Sequence, residues 1–509
     1  MAAQSERLIQ KQVQRILRDP RFRFWKDFIK KFPKGELYLV GGAVRDFVLR
    51  RDTKDLDFIV RNVPVKQLMQ FLDRHGRVDL VGKRFGVLKF VPRGWEGEAL
   101  DIALPRTDYA LRSGGYKDFH IQSDPKLPIE NDLARRDFTV NAIAVRIVNH
   151  ELGIKNYGIV DPFGGLKDIQ KKVLRTVGEP RARFQEDYSR MLRVLRFSCQ
   201  LGFTIEKKTW TALKKLMPHM QSRRDNEYIV PRETIGRELI KAFVAEPVRA
   251  LDIWDKSGAL ASVIPELLQM KKCPQPRAFH TEGDVWVHTR LALQKLMSPG
   301  FRRAFPDMAP VAVSILTILL HDIGKPKTLR TPQKHGVDRI RFDGHDLTGS
   351  AMARVIAQRL HLSQFPKDDA RYHIDTEMLV WLIRYHMLFS EQTMREMRAI
   401  TLEKYFLKDQ YRGRLFQALA WVDMSAAIPA HGKQDFKPLR IVQRRLRGIE
   451  KILRRTHVRP IVNGGEVMKR LQLQPGPFIG RLLDALREEQ LQGRVRTKKQ
   501  AWEFLEKKI

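Results

Sequence analysis

The sequence predicts an α+β protein: an N-terminal α/β head built on a mixed sheet, followed by a largely all-α body. Three observations support this. Residues 36–104 alternate the strand-like pieces ELYLV, DLDFIV, VLKFV and ALDIAL with a helix-like piece, QLMQFLDRHG, expected to end at Gly76. From about residue 184 onward strand signals nearly vanish. Stretches such as SRMLRVLRFSCQLGF and TRLALQKLM then carry helical periodicity. Joints are expected near 145–165 and 271–279, where Pro, Gly and charge accumulate.

Composition narrows the function classes. A chain of 509 residues with 43% hydrophobic content can bury several cores. Lys and Arg total 94 against 58 Asp and Glu, a net charge of +36. A small neutral substrate does not call for that charge, whereas a polyanion does, and nucleic acid is the first candidate. The two cysteines, Cys199 and Cys273, make neither a disulfide framework nor a zinc site, which fits a reducing cytoplasm. The N-terminus lacks the apolar core of a signal peptide, and no run approaches the length of a membrane span, so no membrane partner is expected.

The most informative stretch is 39–60, LVGGAVRDFVLRRDTKDLDFIV. A strand runs into Gly41-Gly42, a short helix carries Arg45 and Asp46, and a second strand presents Asp55 and Asp57. Strand alternation puts Asp55 and Asp57 on one face, with Leu56 and Phe58 turned toward a core. Two adjacent carboxylates repel, and a divalent cation with a preference for hard oxygen ligands removes the repulsion. A glycine pair before a helix lets backbone N–H groups approach phosphates. Together these features suggest metal-assisted phosphoryl transfer from a nucleoside triphosphate. Asp101, in ALDIALPR, would complete a three-carboxylate site from a second strand; its alternative is an ion pair with a residue such as Arg106.

Two further motifs follow. In ARRDFTVNAIAV (134–145), Arg135 and Arg136 offer planar forks suited to phosphate, and Asp137 precedes an apolar run whose first turn it could cap. RFQEDYSRMLRVLRF (183–197) reads as one helix, on which Glu186 and Asp187 are each within pairing distance of Arg190. A carboxylate and a guanidinium held together could read the Watson–Crick edge of a base; the alternative is a solvated ion pair.

GGAVRD, DLD, RRDFTVNAIA, DPFGGLKDI and RFQEDYSRMLRVLRF occur in this order over roughly residues 36–270. This pattern resembles the class II tRNA nucleotidyltransferases, the CCA-adding enzymes, and their relatives the bacterial poly(A) polymerases. The resemblance implies template-independent addition of CCA to the 3′ end of tRNA from CTP and ATP. It implies that Asp55 and Asp57 hold magnesium ions, with Asp101 as the third carboxylate. Gly41, Gly42, Arg45, Arg135 and Arg136 would lie along the nucleotide, with Asp137 and Asn141 beside them. Glu186, Asp187 and Arg190 match the family's EDxxR element, whose aspartate and arginine select cytosine and then adenine. Residues 106–119, RTDYALRSGGYKDF, resemble the segment that helps switch specificity from C to A. The alternatives are a poly(A) polymerase, or an enzyme that adds only CC or only A.

The second half carries its own signal. Eight of the fourteen histidines, His280 and His386 among them, fall between positions 280 and 386. His321-Asp322 precedes Gly324, and Asp423 follows on a later segment. Imidazole and carboxylate together suit a transition metal with open positions. The set resembles the HD phosphohydrolases: His288, His321, Asp322 and Asp423 match the four-ligand signature, and His345 and His386 match positions that extend it to two metals. The resemblance implies a divalent transition metal and hydrolysis of phosphate esters, including 2′,3′-cyclic phosphates at RNA 3′ ends. The expected domains are a catalytic head (1–150), a helical neck binding nucleotide and RNA (151–270), an HD domain (271–455) and a helical tail (456–509). The tail is expected to pack on the HD domain or to touch RNA, with a helix starting near Phe478 after Pro475-Gly476-Pro477. The basic stretch 441–457 is a candidate for contact with an RNA backbone. The sequence leaves the oligomeric state open.

Overall fold

The computed structural model describes residues 2–509 except 54, 82–86, 96–98, 111–113, 116–118, 148–157 and 456–459, with backbone alone at 2–5, 81, 108–110, 119–121 and 455. The chain forms two compact units, Met1–Val263 and Ile264–Ile509.

The first unit contains the mixed sheet. Its strands are β1 (Glu36–Val40), β2 (Asp57–Arg61), β3 (Gly76–Val81), β4 (Val87–Pro92) and β5 (Leu100–Ala103). A separate hairpin, β6 (Arg106–Ala110) with β7 (Phe119–Ser123), precedes β8 (Ala144–Ile147) and β9 (Ile159–Val160). The seven-stranded order is β3-β4-β5-β2-β1-β8-β9. Within this sheet, among the described residues, only β2 and β5 run parallel, and their register places Asp57 opposite Asp101. The helix before Gly76 spans Val65–Asp73, and Gly76 itself opens β3, because its Cβ would lie 2.1 Å from the Val91 carbonyl oxygen of the paired strand.

Alternation along β2 fixes which way Asp57 points. Phe58 turns into a fully buried aromatic layer, 5.1 Å from Trp25 and 6.4 Å from Phe22 between ring centroids. Ile59, on the face shared with Asp57, packs with Tyr38, Val40, Ile129 and Leu133. Burying each large side chain contributes about 1.5–3 kcal/mol, so the carboxylate is held at the end of a strand anchored on both faces.

The stretch 183–197 is two helices rather than one: Pro180–Glu186 and Ser189–Leu201. The break falls at Asp187, whose backbone is extended (φ −154°, ψ 105°) and whose Oδ1 accepts the Ser189 N–H at 2.8 Å. Helical periodicity runs through the junction, so the pattern of apolar residues hides it. In the same way, Asp137 caps no α-helix. The helix Ile129–Ala134 ends before it, and only a single 3-10 turn, Thr139–Asn141, follows.

The second unit is built of helices, with one isolated β-bridge, Arg330 with Arg341, among its described residues. Its centre is Ala312–Leu320 (AVSILTILL), buried along nearly its whole length and ending at His321-Asp322. Around it lie Val285–Leu296, Thr376–Tyr385 and Gln410–Ala426, with His345–Arg359 packed against Thr376–Tyr385. The tail helices Gly464–Leu471, Pro477–Leu491 and Lys498–Glu506 share a core of Val462, Val467, Leu482, Leu486 and Trp502. They pack on the preceding helices. Arg487 donates from Nε to Glu403 at 3.0 Å, and Glu488 accepts the N–H groups of Ala399 and Ile400. The basic stretch up to Arg455 belongs to the helix Lys437–Arg455, which buries Leu439, Val442, Leu446 and Ile449; residues 456–457 lie outside the described residues. Among the described residues, no helix is long and apolar enough to cross a membrane.

Candidate active sites

A cavity of about 730 Å³ opens in the first unit, lined by Gly42, Arg45, Asp55, Asp57, Arg135, Arg136, Asp137, Asn141, Asp187 and Arg190 among others. The sequence-predicted nucleotide-site residues thus converge on one place, apart from Gly41, Asp101 and Glu186, which do not line it but adjoin lining residues: Gly41 precedes Gly42, Asp101 is paired with Asp57, and Glu186 bonds Arg190. Gly41 has φ +77°, and a Cβ there would lie 2.5 Å from Arg136 Nη1, so only glycine lets this arginine cross the turn.

Burial and the neighbouring Asp55 carboxylate raise the pKa of Asp57 to about 6; Asp101 adds to the rise, and Arg136 and Lys89 oppose it. Asp101 forms an ion pair with Lys89, its partner across β4 and β5, rather than with Arg106. The strand expected to present both aspartates begins only at Asp57, and Asp55 lies in the segment just before it. Three neighbouring carboxylates, one of them poorly ionised in isolation, fit a divalent cation with oxygen ligands.

The arginines are braced rather than free. Arg135 Nε donates to Asp132 Oδ1 at 2.9 Å, and Arg136 Nε donates to Asp132 Oδ2 at 3.2 Å. Asp132 is wholly buried, and the two guanidiniums overcome that burial to hold its carboxyl below the usual range. Arg45 donates from Nη1 to Asn141 Oδ1 at 2.6 Å and from Nε to Asp46 at 2.9 Å. Asn141 in turn donates to Asp137 Oδ1 at 3.1 Å, and Asp137 Oδ2 receives Nε and Nη2 of Arg193 at 2.8 and 2.6 Å. Against full burial, Arg193 and Asn141 bring the Asp137 pKa down to about 2. Arg193 was not among the expected residues; its spacing of three from Arg190 is the only local signal that it shares that face.

Arg190 pairs with Glu186 Oε2 at 2.6 Å, not with Asp187. Asp187 is left beside Arg190 at the cavity with one oxygen on Ser189. The described part of 106–119 reaches this element. Gly114 donates its N–H to the Gln185 carbonyl at 2.8 Å and accepts the Tyr188 N–H at 3.0 Å, so it brackets Glu186-Asp187. The residues 111–113 and 116–118 of that segment lie outside the described residues.

The second unit assembles all six predicted ligands into two groups, His288 with His321 and Asp423, and Asp322 with His345 and His386; within each group the donor atoms lie within 4.8 Å of one another. Helix ends do the positioning. His321, His345 and His386 each set Nδ1 against the carbonyl three residues earlier, at Ile318, Phe342 and Ile383, at 2.7–2.8 Å. Their Nε2 atoms therefore face inward. His321 Nε2, fully buried, makes no hydrogen bond; it lies 3.4 Å from Asp322 and 3.6 Å from Asp423. His345 and His386 oppose their Nε2 atoms at 3.2 Å. Burial disfavours charge on His288, but its bonds to Asp423 and Glu282 prevail and its pKa rises to about 9. Burial and the neighbouring His386 push His345 down to about 4. Convergent, buried, partly unsatisfied nitrogen and oxygen donors fit divalent metal ions. His280 stands outside both groups; with Glu282 and His288 it forms a third cluster of donor atoms within 4.8 Å of one another.

Comparisons with known proteins give the family. The Poly A polymerase head domain model matches residues 37–175. A Multifunctional CCA protein of Xanthomonas campestris is 36% identical over 334 residues, covering 65% of this chain and 72% of the relative. One of Neisseria meningitidis is 32% identical over 346 residues, covering 67% and 72%. The fold matches the Bacillus stearothermophilus CCA-adding enzyme in complex with CTP (TM-score 0.60, 21% identity, 96% and 98% of the two chains). It also matches the Thermotoga maritima CCA-adding enzyme complexed with tRNA (TM-score 0.57, 18% identity, 98% of each chain). The chain belongs to the class II CCA-adding enzymes, the metal-dependent nucleotidyltransferases that share the poly(A) polymerase head.

Proposed function

We propose that the chain adds CCA to the 3′ end of tRNA from CTP and ATP, without a nucleic-acid template. The observation that carries this reading is the meeting in one cavity of the Asp55–Asp57 pair and the Asp187–Arg190 element, with arginines between them. Asp55, Asp57 and Asp101 would hold magnesium ions, which supply charge to lower the pKa of the attacking hydroxyl and to steady the departing pyrophosphate. Gly41, Gly42, Arg45, Arg135 and Arg136 hold the triphosphate in line. Asp187 and Arg190 present an acceptor and donors to the base, and Glu186 fixes the arginine. Asp137 and Asn141 keep Arg45 aimed at the phosphates. The tRNA 3′-oxygen then bonds to the α-phosphorus, the bridging P–O bond breaks, and pyrophosphate leaves. The protein's share is position and charge.

The proposed division of labour is a catalytic head to 150, a neck to 270, an HD domain to 455 and a tail beyond. His288, His321, Asp322, His345, His386 and Asp423 would hold transition metal ions whose chemistry is activation of water against a phosphate ester. Cyclic phosphates at RNA 3′ ends are the proposed substrate, and the cytoplasm the proposed location.

The test uses tRNA transcripts ending before CCA, at C and at CC, with CTP and ATP offered singly and together. Extension by three nucleotides that then stops is expected; an open-ended A ladder would defeat the proposal in favour of poly(A) addition. Asp55→Ala should abolish extension while hydrolysis of a 2′,3′-cyclic phosphate continues, and His321→Ala should do the reverse. Loss of both activities in either variant would refute two separate sites.

A further inference from the structure

Three of the histidines in the second unit's metal site are backed by backbone carbonyls. His288 alone is backed by a carboxylate. Its Nδ1 donates to Glu282 Oε1 at 2.8 Å, leaving Nε2 to face Asp423 Oδ1 at 2.9 Å. Glu282 Oε1 also receives His280 Nδ1 at 2.7 Å. Its Oε2 receives the Ile428 N–H at 2.8 Å, just past the helix that carries Asp423. The Glu282 side chain is 2% exposed, and His288 is fully buried. A carboxylate behind an imidazole fixes the tautomer, locks the ring plane and makes the opposite nitrogen a stronger ligand. Glu282 is tied at the same time to the chain end that follows Asp423. It therefore sets the spacing of two donors that come from distant parts of the sequence.

We infer that Glu282 is the positioning residue of this metal site, acting through His288 and through the Ile428 backbone without touching the metal. The inference rests on the proposed metal site, so the experiment separates the two. His280 shares the Oε1 lone pairs and competes with His288 for them. Its removal leaves the Glu282–His288 bond whole. The geometry thus gives opposite expectations for two neighbouring residues on one carboxylate.

The test titrates Co2+ into the full metal-free chain in excess Mg2+, by calorimetry and by the visible ligand-field spectrum. Wild-type chain binding no Co2+ outside the head would overturn the metal site itself, and with it this inference. Given binding, Glu282→Gln should weaken Co2+ affinity 10- to 100-fold, with stoichiometry and the saturated spectrum unchanged. Glu282→Asp, which keeps the charge but retracts it, should fall between wild type and Glu282→Gln, and it serves if the glutamine variant does not fold. His280→Ala should stay within about threefold of wild type, by the same reasoning on shared lone pairs. Unchanged affinity in Glu282→Gln overturns the inference. A changed saturated spectrum or a lost equivalent of Co2+ makes Glu282 a ligand and overturns it too. Equal losses in His280→Ala and Glu282→Gln would show a diffuse structural effect and refute the specific role.

Discussion

Removing the Arg193 side chain tests whether the helix Ser189–Leu201 orients the phosphate-facing end of the head. Arg193→Ala deletes both bonds to Asp137 and leaves a carboxylate that is 8% exposed with only Asn141 and its own neighbour's N–H. The folded pKa of Asp137 is about 2, against 3.8 for an unperturbed carboxyl. That difference corresponds to roughly 2.5 kcal/mol of stability. Because the folded value is depressed, this stability is fully present above pH 4 and is lost as pH falls through 4 toward 2. In the variant, burial without the guanidinium raises the Asp137 pKa instead. The destabilisation should be about 3 kcal/mol at pH 7 and should shrink as pH is lowered toward 5, where the orphaned carboxyl takes up a proton. Urea unfolding followed by tryptophan fluorescence at pH 7 and pH 5 measures both values. Asn141 loses its fixed acceptor in the same variant, so Arg45 loses its aim and KM for CTP should rise more than tenfold. Wild-type stability at pH 7, or an equal deficit at both pH values, would refute the reasoning. So would an unchanged KM.

Other perturbations reach different parts of the molecule. Asp57→Asn should abolish nucleotide addition yet stabilise the metal-free chain at pH 7 by up to about 3 kcal/mol, since a buried carboxylate beside Asp55 resists ionising; added Mg2+ should no longer raise its melting temperature. Gly114→Ala places a Cβ 2.0 Å from the Tyr188 ring at φ +78°, so it should break the bracket around Asp187; gel analysis should show C addition retained and A addition reduced at least tenfold. Gly324→Ala sets a Cβ 2.2 Å from the His345 carbonyl oxygen, which should push the helix His345–Arg359 off the metal site and remove phosphodiesterase activity while CCA addition persists. Binding of tRNA should weaken steeply between 50 and 200 mM salt, by about 10³-fold or more if six or more phosphates are contacted; a flat response in filter binding would contradict a phosphate-reading surface.

The parts of the site legible in the sequence are those encoded locally. Gly41-Gly42 and Asp57 announce themselves by a turn and a strand, and Asp55 by its closeness in sequence to Asp57 rather than by strand alternation, since β2 begins at Asp57. His321-Asp322 announces itself at a helix end. Glu186 and Arg190 pair as their spacing of four predicts, even though the helix breaks between them. The break itself is hidden because extended Asp187, which accepts the Ser189 N–H, does not interrupt the apolar period. Residues chosen by the return of the chain are not legible. Lys89 meets Asp101 only through the register of β4 on β5, and Arg193 meets Asp137 only when the neck docks on the head. The grip of Arg135 and Arg136 on Asp132 does have a local signal, at spacings of three and four, and it changes their reading from free forks to braced ones.

The pairing of β2 with β5 has a consequence for biosynthesis. As the only parallel contact in the sheet among the described residues, it joins strands with β3 and β4 between them in sequence, so it closes a long loop. A nascent chain that has exposed the GGAVRD and DLD motifs still lacks the third carboxylate and the strand that holds it. The ribosome is surrounded by tRNA, by nucleotides and by magnesium. Until residue 101 has emerged and docked, the growing head carries the glycine turn and the Asp55–Asp57 pair without the strand that stands beside them.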